Sequence, residues 1–133
     1  MKTCLVGCGG IAAVHGSVLT SGIDTEFVAA ADIKPEKAQS YAENFHTKPY
    51  PSLESMLEAE KPDVLHICTP HYLHVPMAIY SLERNINVFM EKPPAISFDQ
   101  LEELKKAAAK SDAQLGFCYQ NRYNASIRAA KDL

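Results

Sequence analysis

Thr3-Cys4-Leu5-Val6-Gly7-Cys8-Gly9-Gly10-Ile11-Ala12 stands near the start of the chain, and Asp32 follows twenty residues after Ala12. The apolar run reads as a buried strand, and the glycines behind it form a G-x-G-x-x-A turn that opens a helix. Gly7 permits the tight turn, Gly9 has no side chain to block a pyrophosphate, and Ala12 lets helix and strand approach closely. The helix beginning at Gly10 and Ile11 would offer free N–H groups and a positive dipole end to an anion. A glycine turn by itself also fits a merely tight strand-to-helix connection. Flavin and S-adenosylmethionine domains share it too, so redox chemistry does not follow from it. Asp32 narrows the choice, because it closes the second strand where a carboxylate accepts hydrogen bonds from the ribose hydroxyls of a bound adenosine.

The expected cofactor is therefore NAD, with Gly7, Cys8, Gly9, Gly10, Ile11 and Ala12 around the diphosphate and Asp32 on the ribose. One carboxylate charge about 4 Å from one charge of a 2′-phosphate costs on the order of 4 kcal/mol at an effective dielectric near 20, which disfavours NADP. Lys34 is the one neighbouring cation able to soften that repulsion. Cys8 is expected there for its size, although a thiol near a helix N-terminus can have a lowered pKa.

Outward from this turn, short apolar runs alternate with helical patterns, the mark of repeated βαβ units and a parallel sheet. Strands are predicted near Thr3 to Val6, Glu26 to Ala31, Val64 to Cys68, Asn87 to Met90 and Gln114 to Tyr119, with a weaker one near Thr47 to Tyr50. Helices are predicted over Ile11 to Thr20, Pro35 to Phe45, Ser52 to Ala59, Val75 to Arg84, Phe98 to Ser111 and Ala125 to Leu133. In the fifth, Phe98, Leu101, Leu104 and Ala108 define one apolar stripe, and Ser97 is its predicted N-cap. The fold class is thus α/β, a doubly wound parallel sheet of the Rossmann kind. Residues 1–120 form the dinucleotide-binding domain, and residues 121–133 start a connection to a further domain. Because the last helix stops with Ile127 and Ala130 needing a partner surface, the chain is expected to belong to a longer protein.

The 133 residues are 47% hydrophobic, enough for one ordinary core, and the net charge of −3 supplies no basic field for nucleic acid. Met1-Lys2-Thr3 leads directly into the first strand without a secretory pattern, and the Cys4–Val14 stretch is far short of the ~20 residues a membrane span needs. The expected setting is a reducing cytoplasm, with Cys4, Cys8, Cys68 and Cys118 as free thiols and no metal. Cys4 with Cys8 has no second ligand pair, and His71 with His74 has no companion carboxylate.

Thr69-Pro70-His71-Tyr72-Leu73-His74 after the fourth strand and Glu91-Lys92-Pro93 after the fifth add a second pattern. With the glycine turn, Asp32 and the closing Gln120-Asn121-Arg122, the sequence resembles the Gfo/Idh/MocA oxidoreductase family over nearly its whole length. The resemblance implies a Rossmann domain followed by a C-terminal α/β domain lacking here, with NAD or NADP at the strand ends and a sugar or polyol between the domains. Homo-oligomers would form in the full-length protein. It places Thr69, Pro70, His71 and His74 along the dinucleotide, although the family more usually has asparagine where His71 stands. Glu91 and Lys92 come to lie beside the nicotinamide ribose and substrate, and Gln120 with Arg122 in the segment entering the second domain. A lysine at a strand's C-terminal end can hydrogen-bond the substrate oxygen and stabilise a developing alkoxide, so Lys92 is the catalytic candidate. A cis bond before Pro93 is left open by the sequence.

His66 is expected to be a satisfied core histidine and His46 a surface residue, while for His15 a cofactor contact and a packing or capping role stay equally open. Three functions remain in view: an NAD-dependent alcohol dehydrogenase, an NAD-using glycoside hydrolase of the same family, and a non-catalytic dinucleotide-binding module. The fragment alone is expected to be inactive.

Overall fold

A computed structural model describes residues 1–22 and 24–131. Strands β1 (Lys2–Val6), β2 (Glu26–Ala31), β3 (Lys48–Tyr50), β4 (Val64–Ile67), β5 (Asn87–Glu91) and β6 (Leu115–Cys118) form one sheet in the order β3-β2-β1-β4-β5-β6. Every neighbouring pair is parallel. Parallel neighbours need a crossover, and helices α1 (Gly10–Leu19), α2 (Pro35–Phe45), α3 (Leu53–Glu60), α4 (His74–Leu82) and α5 (Phe98–Lys110) supply them. Right-handed crossovers send α1 and α2 to one face and α3, α4 and α5 to the other. The two apolar clusters follow that division. Leu53, Met56, Val75, Ala78, Leu82 and Leu104 meet Cys4, Val6, Leu65, Ile67 and Met90 on one side, whereas Ala12 and Tyr41 meet Leu5 and Ala30 on the other.

Local chemistry sets most helix ends. Pro35 lies at the first turn of α2, where a missing N–H costs least. Ser52 and Ser97 cap α3 and α5 by accepting the N–H of Ser55 and of Gln100, each at 3.2 Å. Ser52 is thus the cap and not the first helical residue. His46 ends α2 in the left-handed region at φ 54° and is exposed.

One core assignment is corrected. Leu104 is buried and Leu101 and Ala108 half-buried, as the stripe requires, but Phe98 is 87% exposed. It occupies the first turn of α5, where nothing packs over it, so the periodicity that places it inward has no partner surface to act on. The final helix, α6 (Ala125–Lys131), is exposed throughout, and the predicted extension to Asp132 and Leu133 lies outside the described residues.

Among the described residues, no helix is long and apolar enough to cross a membrane. Cys4, Cys8, Cys68 and Cys118 are free.

Candidate functional site

All the quoted motifs leave the C-terminal ends of the strands. β1 and β4 are neighbours whose chains depart toward opposite sides of the sheet, and the crevice between such strands is where open α/β sheets bind ligands. Gly7 stands at this point in the left-handed region, φ 91°, donating its N–H to Ala31 O at 2.8 Å. A Cβ there would lie 2.7 Å from the backbone of Cys68 and Thr69. The glycine therefore lets the turn close against the Thr69 loop. A Cβ added at Gly9 or Gly10 would meet nothing within 4 Å, so the backbone entering α1 is bare toward solvent. Ala12 is fully buried, and its carbonyl accepts from Tyr41 Oη at 2.7 Å.

Asp32 binds the turn directly. Its Oδ2 accepts the Cys8 N–H and its Oδ1 the Lys34 N–H, both at 2.9 Å. Each oxygen keeps a lone pair, so the half-buried carboxylate can still accept from a diol. Cys8 is not a low-pKa thiol. Burial, reinforced by the Asp32 charge, pushes it up to about 12, and its Sγ faces Ala31 O at 3.6 Å.

His74 departs from the expected lining role. It is fully buried at the start of α4, with Nδ1 2.8 Å from Pro93 O and Nε2 2.9 Å from Thr69 O. With both nitrogens on backbone carbonyls, it braces the Thr69-Pro70 loop to the Lys92-Pro93 loop from below. Thr69 likewise turns its hydroxyl inward, toward Met77 Sδ at 3.7 Å. Pro70 and His71 remain exposed above them.

Glu91 ends β5 and Lys92 follows it, exposed, with a cis Lys92–Pro93 peptide. The Glu91 side chain is 6% exposed, and its oxygens are engaged by His15 Nε2 at 3.1 Å and by the Lys92 N–H at 3.2 Å. Burial, the largest single influence, pulls Glu91 upward. Its contacts with His15, Cys118 and Lys92 together outweigh that pull and hold it below the ordinary glutamate range. Gln120 and Arg122 lie in an exposed 3-10 turn, Gln120–Tyr123, just past β6.

Sequence reasoning missed one group. His15 Nδ1 lies 2.9 Å from His66 Nδ1, so His15 joins β4 to Glu91 across the sheet face. Its spacing from Ala12 and Leu19 on the buried side of α1 was the available signal. Gly16 was missed as well. A Cβ there would sit 2.5 Å from Tyr41 Oη, which makes it the contact glycine between α1 and α2. A hollow of about 490 Å³ between α4 and α5, lined by Tyr72, Ile79 and Glu103 among others, includes none of the turn residues.

Comparison with known proteins identifies the family and the fold. The model of an oxidoreductase family with an NAD-binding Rossmann fold, the Gfo/Idh/MocA family, matches residues 1–119. D-glucoside 3-dehydrogenase of Escherichia coli K12 is 31% identical over 92% of this chain and 36% of its own length. Glucose-6-phosphate 3-dehydrogenase of Bacillus subtilis 168 is 26% identical over 99% of this chain and 37% of its own. The WlbA dehydrogenase of Bordetella pertussis, solved in complex with NADH and UDP-GlcNAcA, superposes with a TM-score of 0.94 at 31% identity, covering 98% of this chain and 40% of that one. The chain thus spans well under half the length of these relatives.

Proposed function

The chain belongs to the Gfo/Idh/MocA oxidoreductase family, and we propose that it is the NAD-binding part of a dehydrogenase that acts on a sugar or polyol alcohol. The observation that carries this reading is the Asp32 carboxylate held against the Cys8 N–H, beside the bare Gly9–Gly10 backbone at the β1–β4 crevice. These residues fit a dinucleotide: N–H groups at the mouth of α1 for the diphosphate, an anionic acceptor for the adenosine ribose, and open space where side chains would otherwise intrude.

When bound, the nicotinamide ring supplies the hydride acceptor or donor. This chain's residues bind and orient. Gly7, Cys8, Gly9, Gly10, Ile11 and Ala12 shape the diphosphate cradle, and Asp32 selects NAD over NADP by charge. Thr69, Pro70 and His71 form the wall toward the nicotinamide end, while His74 fixes that wall to the Lys92 loop. Lys92 presents an exposed ammonium at a strand end, placed to donate a hydrogen bond to an alcohol oxygen and to stabilise negative charge there. Residues from the remainder of a longer protein would complete the substrate pocket, so the chain alone binds cofactor without turnover.

Titration calorimetry of the 133-residue chain tests the reading. Saturable NAD binding tighter than NADP is expected, and no NAD binding at millimolar concentration overturns it. In the longer protein, NADH release from a polyol should vanish on Lys92→Ala.

A further inference from the structure

Four polar side chains gather on the α1 face of the sheet, toward the ends of β4, β5 and β6. His15 comes from α1, His66 from β4, Glu91 from β5, and Cys118 from β6, whose register places it opposite Glu91. The register also pairs His66 with Phe89, and the His66 ring tilts against that phenyl ring at 5.2 Å.

With His15 neutral, the hydrogen bonds in this cluster run in one direction. Glu91 is a carboxylate, so both of its oxygens accept, and His15 Nε2 must carry the proton that it donates at 3.1 Å. With His15 neutral, its Nδ1 is then bare. The facing His66 Nδ1, 2.9 Å away, must supply the hydrogen, because two lone pairs or two N–H groups pointed at one another repel. The order is His66 to His15 to Glu91, with the Lys92 N–H converging on the second carboxylate oxygen. Burial, the largest influence on it, pushes His66 down to about 4, which keeps it neutral near pH 7.

We propose that His15 is a positioning residue, which holds the Glu91 carboxylate and thereby the Glu91–Lys92 turn in place beneath the nicotinamide half of the cofactor groove, with His66 fixing its tautomer. α1 carries the diphosphate cradle at its N-terminus and His15 one turn later, so the same helix links the two ends of the groove. The role rests on the dinucleotide reading above. The donor atoms of His15, Glu91 and Cys118 lie within 4.8 Å of one another, which would also suit a metal ion. His15 Nε2 and Glu91 Oε1 already satisfy each other, however, and a thiol raised first by burial and then by its hydrogen bond with Glu91 is a poor ligand.

Two measurements on the 133-residue chain test this. Long-range proton–nitrogen NMR should show neutral His15 with its proton on Nε2 and neutral His66 with its proton on Nδ1. A mixed tautomer for either ring overturns the relay, and replacement of the His15 Nε2 proton by added Zn²⁺ overturns it in favour of a metal site. Calorimetry should show that His15→Phe weakens NAD by about tenfold through loss of a donor to a buried carboxylate. ADP, which lacks the nicotinamide ribose, should bind as before, and His15→Gln should recover most of the NAD affinity. Equal loss for NAD and ADP would indicate a merely structural histidine, and unchanged NAD affinity would remove the role. Failure of the unsubstituted chain to bind NAD would sink the dinucleotide reading and the positioning role together, leaving the tautomer measurement to judge the relay alone.

Discussion

Asp32→Asn separates the two tasks assigned to this carboxylate, holding the turn and choosing the cofactor. An asparagine oxygen can still accept the Cys8 N–H, but its amide group cannot accept from Lys34, so one of the two bonds at 2.9 Å is lost. That loss costs about 1 kcal/mol and lowers the melting temperature by about 4 °C. The charge matters more for discrimination. A full charge about 4 Å from a 2′-phosphate costs about 4 kcal/mol at a dielectric near 20. Because Asp32 is only half-buried, counter-ions and water reduce this to about 1–2 kcal/mol, or about five- to thirtyfold in affinity. Calorimetry with NAD and NADP at low and physiological salt should therefore show a preference for NAD that shrinks with salt in the native chain and collapses by about tenfold in Asp32→Asn. An unchanged NAD-to-NADP ratio in a folded Asp32→Asn variant would refute the electrostatic assignment.

Three further substitutions probe the frame around the site. Gly7→Ala combines a φ of 91° with a Cβ 2.7 Å from the Cys68 and Thr69 backbone, and should cost about 2 kcal/mol or more in urea unfolding. His74→Leu removes the imidazole contacts with the half-buried Thr69 and Pro93 carbonyls, and should cost about 1–3 kcal/mol while speeding amide exchange in both the Thr69 and Pro93 loops. Unchanged exchange at Pro93's neighbours would refute the bracing role. At the opposite end of the sheet, Glu60 is 5% exposed and meets Lys48 Nζ at 2.9 Å, Tyr50 Oη at 2.6 Å and Lys2 Nζ at 3.0 Å. Lys48 and Tyr50, ahead of Lys2, pull its pKa down from 4.5 to about 2. A depressed carboxyl stabilises fully above the unfolded value and loses that contribution as pH falls toward 2. Glu60→Gln should thus be about 1–3 kcal/mol less stable at pH 7, with the deficit closing between pH 4.5 and 2.

Local sequence chemistry settled a great deal of this molecule. Alternating apolar runs and amphipathic helices gave the doubly wound order, because a parallel strand admits little but a buried apolar run and a helical return. Gly7, the glycines at the mouth of α1 and Asp32 were legible because backbone conformation and anion binding restrict residue type at fixed spacing. Ser97 announced its cap for the same reason. Side-chain direction between distant segments was decided only in three dimensions. His74 matched a motif associated with the cofactor, yet strand and loop packing turned it inward onto two carbonyls. Phe98 obeyed the helical period but met no neighbouring surface. His15, His66 and Glu91 are separated by 51 and 25 residues, and no local pattern records their contact. It arises because β1, β4 and β5 lie side by side with α1 across them, and sheet order and register are properties of the whole fold.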